Sequence, residues 1–72
     1  MSDKILVPGD IVKLLEMRIF YTENFQHDRL LAGSMLVVIS HNTSSGKLTF
    51  LSTHGYGYIW ETMILRVFEK LN

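Results

Sequence analysis

Hydrophobic residues in this chain come in short runs cut off by turn-forming residues. Pro8-Gly9, Gly33-Ser34, Thr43-Ser44-Ser45-Gly46 and Gly55-Tyr56-Gly57 interrupt the 72 residues four times, which leaves stretches of strand length and little room for long helices. Met35 to Ser40 is a compact run of Leu, Val, Val and Ile behind Met. Lys47 to Thr53 alternates, with Leu48, Phe50 and Ser52 on one side and Lys47, Thr49 and Leu51 on the other. The two segments together predict a hairpin. Gly57 to Trp60 adds a third short strand of β-favouring Tyr, Ile and Trp, reached through a glycine-flanked turn. A last strand is predicted over Leu65 to Leu71, where Leu65, Val67 and Leu71 alternate with Arg66, Phe68 and Lys70. Glu61-Thr62-Met63-Ile64 before it is a candidate 3₁₀ turn. The expected core holds Val12, Leu36, Val38, Leu48, Phe50 and Val67.

The first third supports two readings. Ile11, Leu14, Leu15, Arg18 and Ile19 keep helical spacing, and Asp10 is a suitable cap for a helix made of good formers. In a strand reading Val12 and Leu14 point inward, a bulge near Leu15 hands that role to Met17 and Ile19, and Phe20-Tyr21 close the segment. Thr22 to Ala32 then surrounds a lone Phe25 with Glu23, Asn24, Gln26, His27, Asp28 and Arg29, which predicts an exposed loop.

This order of parts resembles the small SH3-like β-barrels, and in particular the short single-barrel proteins of tailed bacteriophages. The resemblance starts at Pro8-Gly9-Asp10-Ile11-Val12-Lys13-Leu14 and continues through the long loop and Gly33 before Met35-Leu36-Val37-Val38-Ile39. It ends with Leu48-Thr49-Phe50-Leu51, a Gly-containing turn and the final Leu65-Arg66-Val67-Phe68-Glu69. It implies an all-β domain, a five-stranded SH3-like barrel with a long loop after the first strand, spanning residues 1–72. Such barrels bind peptides, nucleic acids, ribosomes and other subunits, so the partner does not follow from the fold.

Composition adds a reason to look for a partner. A domain near this length buries only about 60% of the surface its unfolded chain exposes. With no cysteine the fold must rest on apolar packing or on another subunit, and a reducing cytoplasm (the host's, for a viral protein) is the natural setting. Charged residues make up 19% against a usual figure near 25%, while apolar residues reach 47% and mean hydropathy is +0.18. Self-association into a homo-oligomer is therefore expected. Seven Lys and Arg, spread evenly, are offset by seven Asp and Glu, which argues against nucleic acid as the partner. No stretch resembles a targeting address or is long and apolar enough for a spanning helix.

The candidate chemistry is thin except in one place. His27, His41 and His54 lie on three separate loops or strand ends and match no metal-ligand spacing, and the serines lack a nucleophile phrase. No enzyme activity, metal or cofactor is expected. Gly55-Tyr56-Gly57 reads as a turn before it reads as a phosphate seat. Tyr56, Tyr58 and Trp60, however, share parity on one strand. Either they form an exposed aromatic stripe, or Tyr58 and Trp60 belong to the core. On the first reading the binding surface joins them to Tyr21, Phe25 and Arg29 of the long loop, and the chain is a protein-interaction module. The alternative is a small-ligand or nucleotide binder with its site at a subunit interface, and a nucleic-acid module ranks third.

Overall fold

A computed structural model describes residues 6–61 and 64–72. It is almost entirely β, as the turn signals predict. The strands are β1 (Ile11–Leu14), β2 (Arg18–Tyr21), β3 (His27–Leu30), β4 (Met35–Asn42), β5 (Lys47–Ser52), β6 (Gly55–Trp60) and β7 (Phe68–Lys70). A single helical turn, α1 (Ile64–Val67), precedes the last of them. All pair antiparallel in one sheet of order β3-β2-β6-β5-β4-β1-β7, curled into a half-barrel.

The curl follows from distances along the chain. β1 and β2 are consecutive in sequence, yet β4, β5 and β6 stand between them in the sheet. In a flat sheet those four inter-strand steps would hold β1 and β2 about 19 Å apart. The chain from Leu14 to Arg18 spans at most about 14 Å even when fully extended. The sheet must therefore bend until its two flanks approach, and Leu15-Glu16-Met17 forms the corner. Leu15 N–H donates to the Val67 carbonyl and Leu14 N–H to that of Ser34, so the corner is tied to α1 and to the entry of β4.

The concave face holds the core. Leu6, Val12, Leu14, Phe20, Leu30, Leu36, Val38, Leu48, Phe50, Ile59, Val67 and Phe68 are all buried there, and they include every residue expected in it. Phe20 packs on Phe50 with centroids 5.7 Å apart. Asp10 is also buried. It accepts a hydrogen bond from Val7 N–H at 2.9 Å and lies 3.6 Å from Lys70 Nζ, so the Pro-Gly-Asp turn is bound to β7.

Four expectations need correction. Among the described residues there are seven strands and not five, because the corner splits the expected first strand into β1 and β2 and the predicted long loop contains β3, which pairs back on β2; Tyr21 pairs with His27 and Arg18 with Leu30. The first third is strand, but the three-residue corner keeps the parity of Val12 and Leu14 where a bulge was expected to shift it, so Phe20 turns inward while Met17 and Ile19 stay exposed. The last strand begins only at Phe68, since residues up to Val67 belong to α1. Val67 and Phe68 are consequently both buried and Leu71 is exposed. Of the expected 3₁₀ segment, Thr62 and Met63 lie outside the described residues. Finally, the β5–β6 turn is Thr53-His54, since Gly55 already pairs with Ser52 as the first residue of β6. Gly57 is extended inside β6, where a Cβ would come within 2.6 Å of the Phe20 ring and 3.1 Å of the Tyr21 carbonyl oxygen.

Candidate functional site: the outer face of the sheet

Gly57 and Ile59 face the core, so the alternation of β6 turns Tyr56, Tyr58 and Trp60 to the outside. Trp60 is 54% exposed, which decides between stripe and core in favour of the stripe. The bare Cα of Gly57 is what lets β2 lie close against β6, and Tyr21 then pairs with Tyr58. Tyr21 stacks on Tyr58 at 6.0 Å, Trp60 stands edge-on to Tyr58 at 5.3 Å and to Tyr21 at 5.9 Å, and His27 borders Tyr21 at 6.4 Å. Lys47, on the neighbouring strand, places Nζ 4.5 Å from the centre of the Tyr58 ring. Tyr21, Tyr58 and Trp60 thus form one aromatic corner with a cation packed against it.

The other predicted site residues divide. Arg29 is exposed on β3 in register with Ile19, at the margin of this corner. Phe25 is the tip of the β2–β3 hairpin and shares no ring contact with the cluster. It is 84% exposed with φ at +60°, a left-handed backbone that a phenylalanine rarely adopts. Phe25 N–H donates to the Thr22 carbonyl and Thr22 N–H to that of Gln26, closing the turn around it. Tyr56 lies on the same face as Tyr58 but is opposite Leu51, away from the ring cluster.

Tyr56 belongs to a second region that the sequence reading missed. Ile11 pairs with Val37, Val37 with Leu51, and Leu51 with Tyr56, so four apolar side chains form a continuous row across β1, β4, β5 and β6. All four are between 36% and 54% exposed. A bulge between Val38 and Ser40 leaves Ile39 exposed beside them. The outward parity of Leu51 was visible in the chain; the register that aligns it with Val37 and Ile11 was not.

The charges are segregated as well. From Arg29 to Trp60 the chain has no Asp or Glu, so no carboxylate points outward from β4, β5 or β6. The carboxylates gather elsewhere. Glu16, Arg18, Glu61, Arg66 and Val67 line a polar cleft of about 290 Å³ beside the corner, where Arg18 Nε is 3.1 Å from Glu61 and its Nη2 is 3.9 Å from Glu16. Arg18 bridges the two carboxylates of this cleft and so fastens β2 to the residue that follows β6. The three histidines stay apart: His41 Nδ1 accepts from Leu6 N–H, and His54 lies against Phe20. Among the described residues no three His, Asp or Glu come close enough to hold a metal ion, and no helix is long and apolar enough to cross a membrane.

Fold and site together define a small all-β half-barrel whose outer sheet face carries a row of exposed apolar side chains and an aromatic corner. Comparison with protein families, curated proteins and solved structures finds no match for this chain.

Proposed function

We propose that this chain is a non-enzymatic protein-interaction module of the SH3-like type, of the kind found among short single-barrel phage proteins. It acts in the cytoplasm, the host's if the chain is viral. Support for the SH3-like reading comes from the long excursion after β1, the β4-β5-β6 meander, the helical turn and the return of β7 to β1. The observation that carries the function is the aromatic corner. Tyr21, Tyr58 and Trp60 present rigid, half-exposed rings beside a hairpin whose tip displays Phe25 in a strained conformation. Large rings with few rotatable bonds lose little entropy on contact, and such residues dominate interface energies.

A photo-activatable residue in place of Phe25 is expected to cross-link a partner protein in extracts of cells that carry the gene. Tyr21→Ala and Trp60→Ala should each abolish the adduct while far-ultraviolet dichroism stays unchanged. Cross-linking that survives both changes overturns the reading.

The acid-free segment from Arg29 to Trp60 favours a second reading: a flat, anionic ligand such as a nucleotide, its ring on Trp60 and its charge near Lys47. Quenching of Trp60 by a mononucleotide at micromolar concentration, absent in Lys47→Glu, would select it.

A further inference from the structure

The aromatic corner leaves the row Tyr56-Leu51-Val37-Ile11 without a role. We propose that this row is the centre of a homodimer interface in which two copies pack their outer sheet faces together about a two-fold axis. The inference rests on the reading of the outer face as a contact surface and is independent of what the aromatic corner binds.

The sizes of the four side chains make the row self-complementary. In an isologous dimer each residue meets the residue equally far from the axis on the other side. An axis passing between Leu51 and Val37 sets Leu51 against Val37 of the second copy and Tyr56 against Ile11. The larger side chain meets the smaller at every step, and the longest, Tyr56, stands farther from the axis, where the two convex faces diverge and a longer reach is needed. Any axis placed beyond the row would leave Tyr56 or Ile11 uncovered.

Charge permits the same arrangement. The row itself holds no ionisable side chain other than the Tyr56 phenol, and no carboxylate lies outward on β4, β5 or β6. At its β1 border, Lys13 is already paired with Glu69 at 3.6 Å, so the rim there is neutral before contact. Lys47, the cation outward on β5, lies beyond the row against the Tyr58 ring, so the row itself brings no unpaired charge into the contact, the usual obstacle to face-to-face packing of like surfaces.

The contact surface is small: the exposed apolar side chains of this face are those of the row with Met35 and Ile39, which suits the weaker, reversible class of interface and not a permanent one. Ile39 and Met35 extend the patch past the row, whereas Trp60 and Tyr21 lie at the end of the face and remain accessible.

The experiment uses the full chain. Sedimentation equilibrium over micromolar concentrations is expected to give a reversible dimer, and Val37→Glu should yield a monomer with an unchanged far-ultraviolet spectrum. Leu51→Lys serves as a second variant should Val37→Glu disturb the strand. Because the chain has no cysteine, a single Leu51→Cys change places one thiol beside the proposed axis; a short bis-maleimide should join two copies through it. Trp60→Cys, far from the axis, should not cross-link. A monomeric mass for the unaltered chain overturns the inference. A dimer that survives both Val37→Glu and Leu51→Lys, or that cross-links at Trp60→Cys and not at Leu51→Cys, overturns it as well. Trp60→Ala leaves the dimer intact under this inference, so failure of the docking reading and failure of the dimer are told apart.

Discussion

The two faces of one sheet differ less in chemistry than in what covers them. The inner face is closed by Phe20, Phe50, Phe68 and the aliphatic residues between them, all buried within the single chain. On the outer face, β1, β4, β5 and β6 carry Ile11, Val37, Leu51 and Tyr56 where an antiparallel sheet usually shows polar residues to solvent. Strand alternation normally separates a folding face from a wet face. Under the proposed reading it here separates a folding face from a contact face, and substitutions on the two sides should have effects of different kinds.

The largest effect is expected inside. Phe50→Ala removes a fully buried ring that packs on Phe20 and should cost about 3–5 kcal/mol, enough to unfold so small a domain. Urea denaturation followed by far-ultraviolet dichroism measures it, and a loss below about 1 kcal/mol would place Phe50 outside the core. Next comes the seam between the flanks of the sheet. Gly57→Ala drives a methyl group into the Phe20 ring and the Tyr21 backbone, with an expected loss of about 1–3 kcal/mol. The same substitution should disturb the aromatic corner, because it pushes β2 away from β6. A Tyr21 ring environment in NMR spectra that is unchanged by Gly57→Ala would contradict that link.

How far the sequence foretold these faces depended on how local the signal was. Leu48 and Phe50, or Leu36 and Val38, alternate within single strands, and their burial was readable from residues two apart. The corner at Leu15-Glu16-Met17 was not, because a turn without Gly or Pro keeps the spacing of a helix, and nothing local shows that Phe20 resumes the inward parity of Val12 and Leu14 beyond it. β3 went unseen for a related reason. His-Asp-Arg-Leu sits at the edge of the sheet with only Leu30 turned inward, so it carries no alternating pattern. In the candidate site, the shared parity of Tyr56, Tyr58 and Trp60 was plain, but which way it pointed depended on Gly57 and Ile59 filling the inner side. The meeting of Tyr21 with Tyr58 is a long-range register and left no trace in the chain. Even charges summed over the whole sequence concealed a segment, Arg29 to Trp60, that has no carboxylate at all.

Substitutions outside should leave folding nearly unchanged. Tyr56→Ala in a dilute, monomeric sample is expected to shift stability by no more than about 0.5 kcal/mol, the range of ordinary surface changes. In concentrated samples it should lower the melting temperature more, since a dimer lends stability by mass action. A melting temperature that falls equally at both concentrations would make Tyr56 part of the fold. An effect of opposite sign belongs to Phe25. A left-handed backbone costs a non-glycine residue roughly 1–2 kcal/mol, while glycine gives back about half of the relief in chain entropy. Phe25→Gly should therefore raise stability by up to about 1 kcal/mol and weaken cross-linking of the partner. A drop in melting temperature would show that the ring supports the hairpin.

The outward, uncovered position of the second face is tested most directly by the one tryptophan. Trp60 emission and acrylamide quenching can be read in the unaltered chain, at concentrations low enough for it to be monomeric. A half-exposed indole on the outer face should emit toward the red, be quenched readily, and change little in quencher access on unfolding. Blue-shifted emission that resists acrylamide until the chain unfolds would place Trp60 inside the fold and contradict the assignment of the two faces.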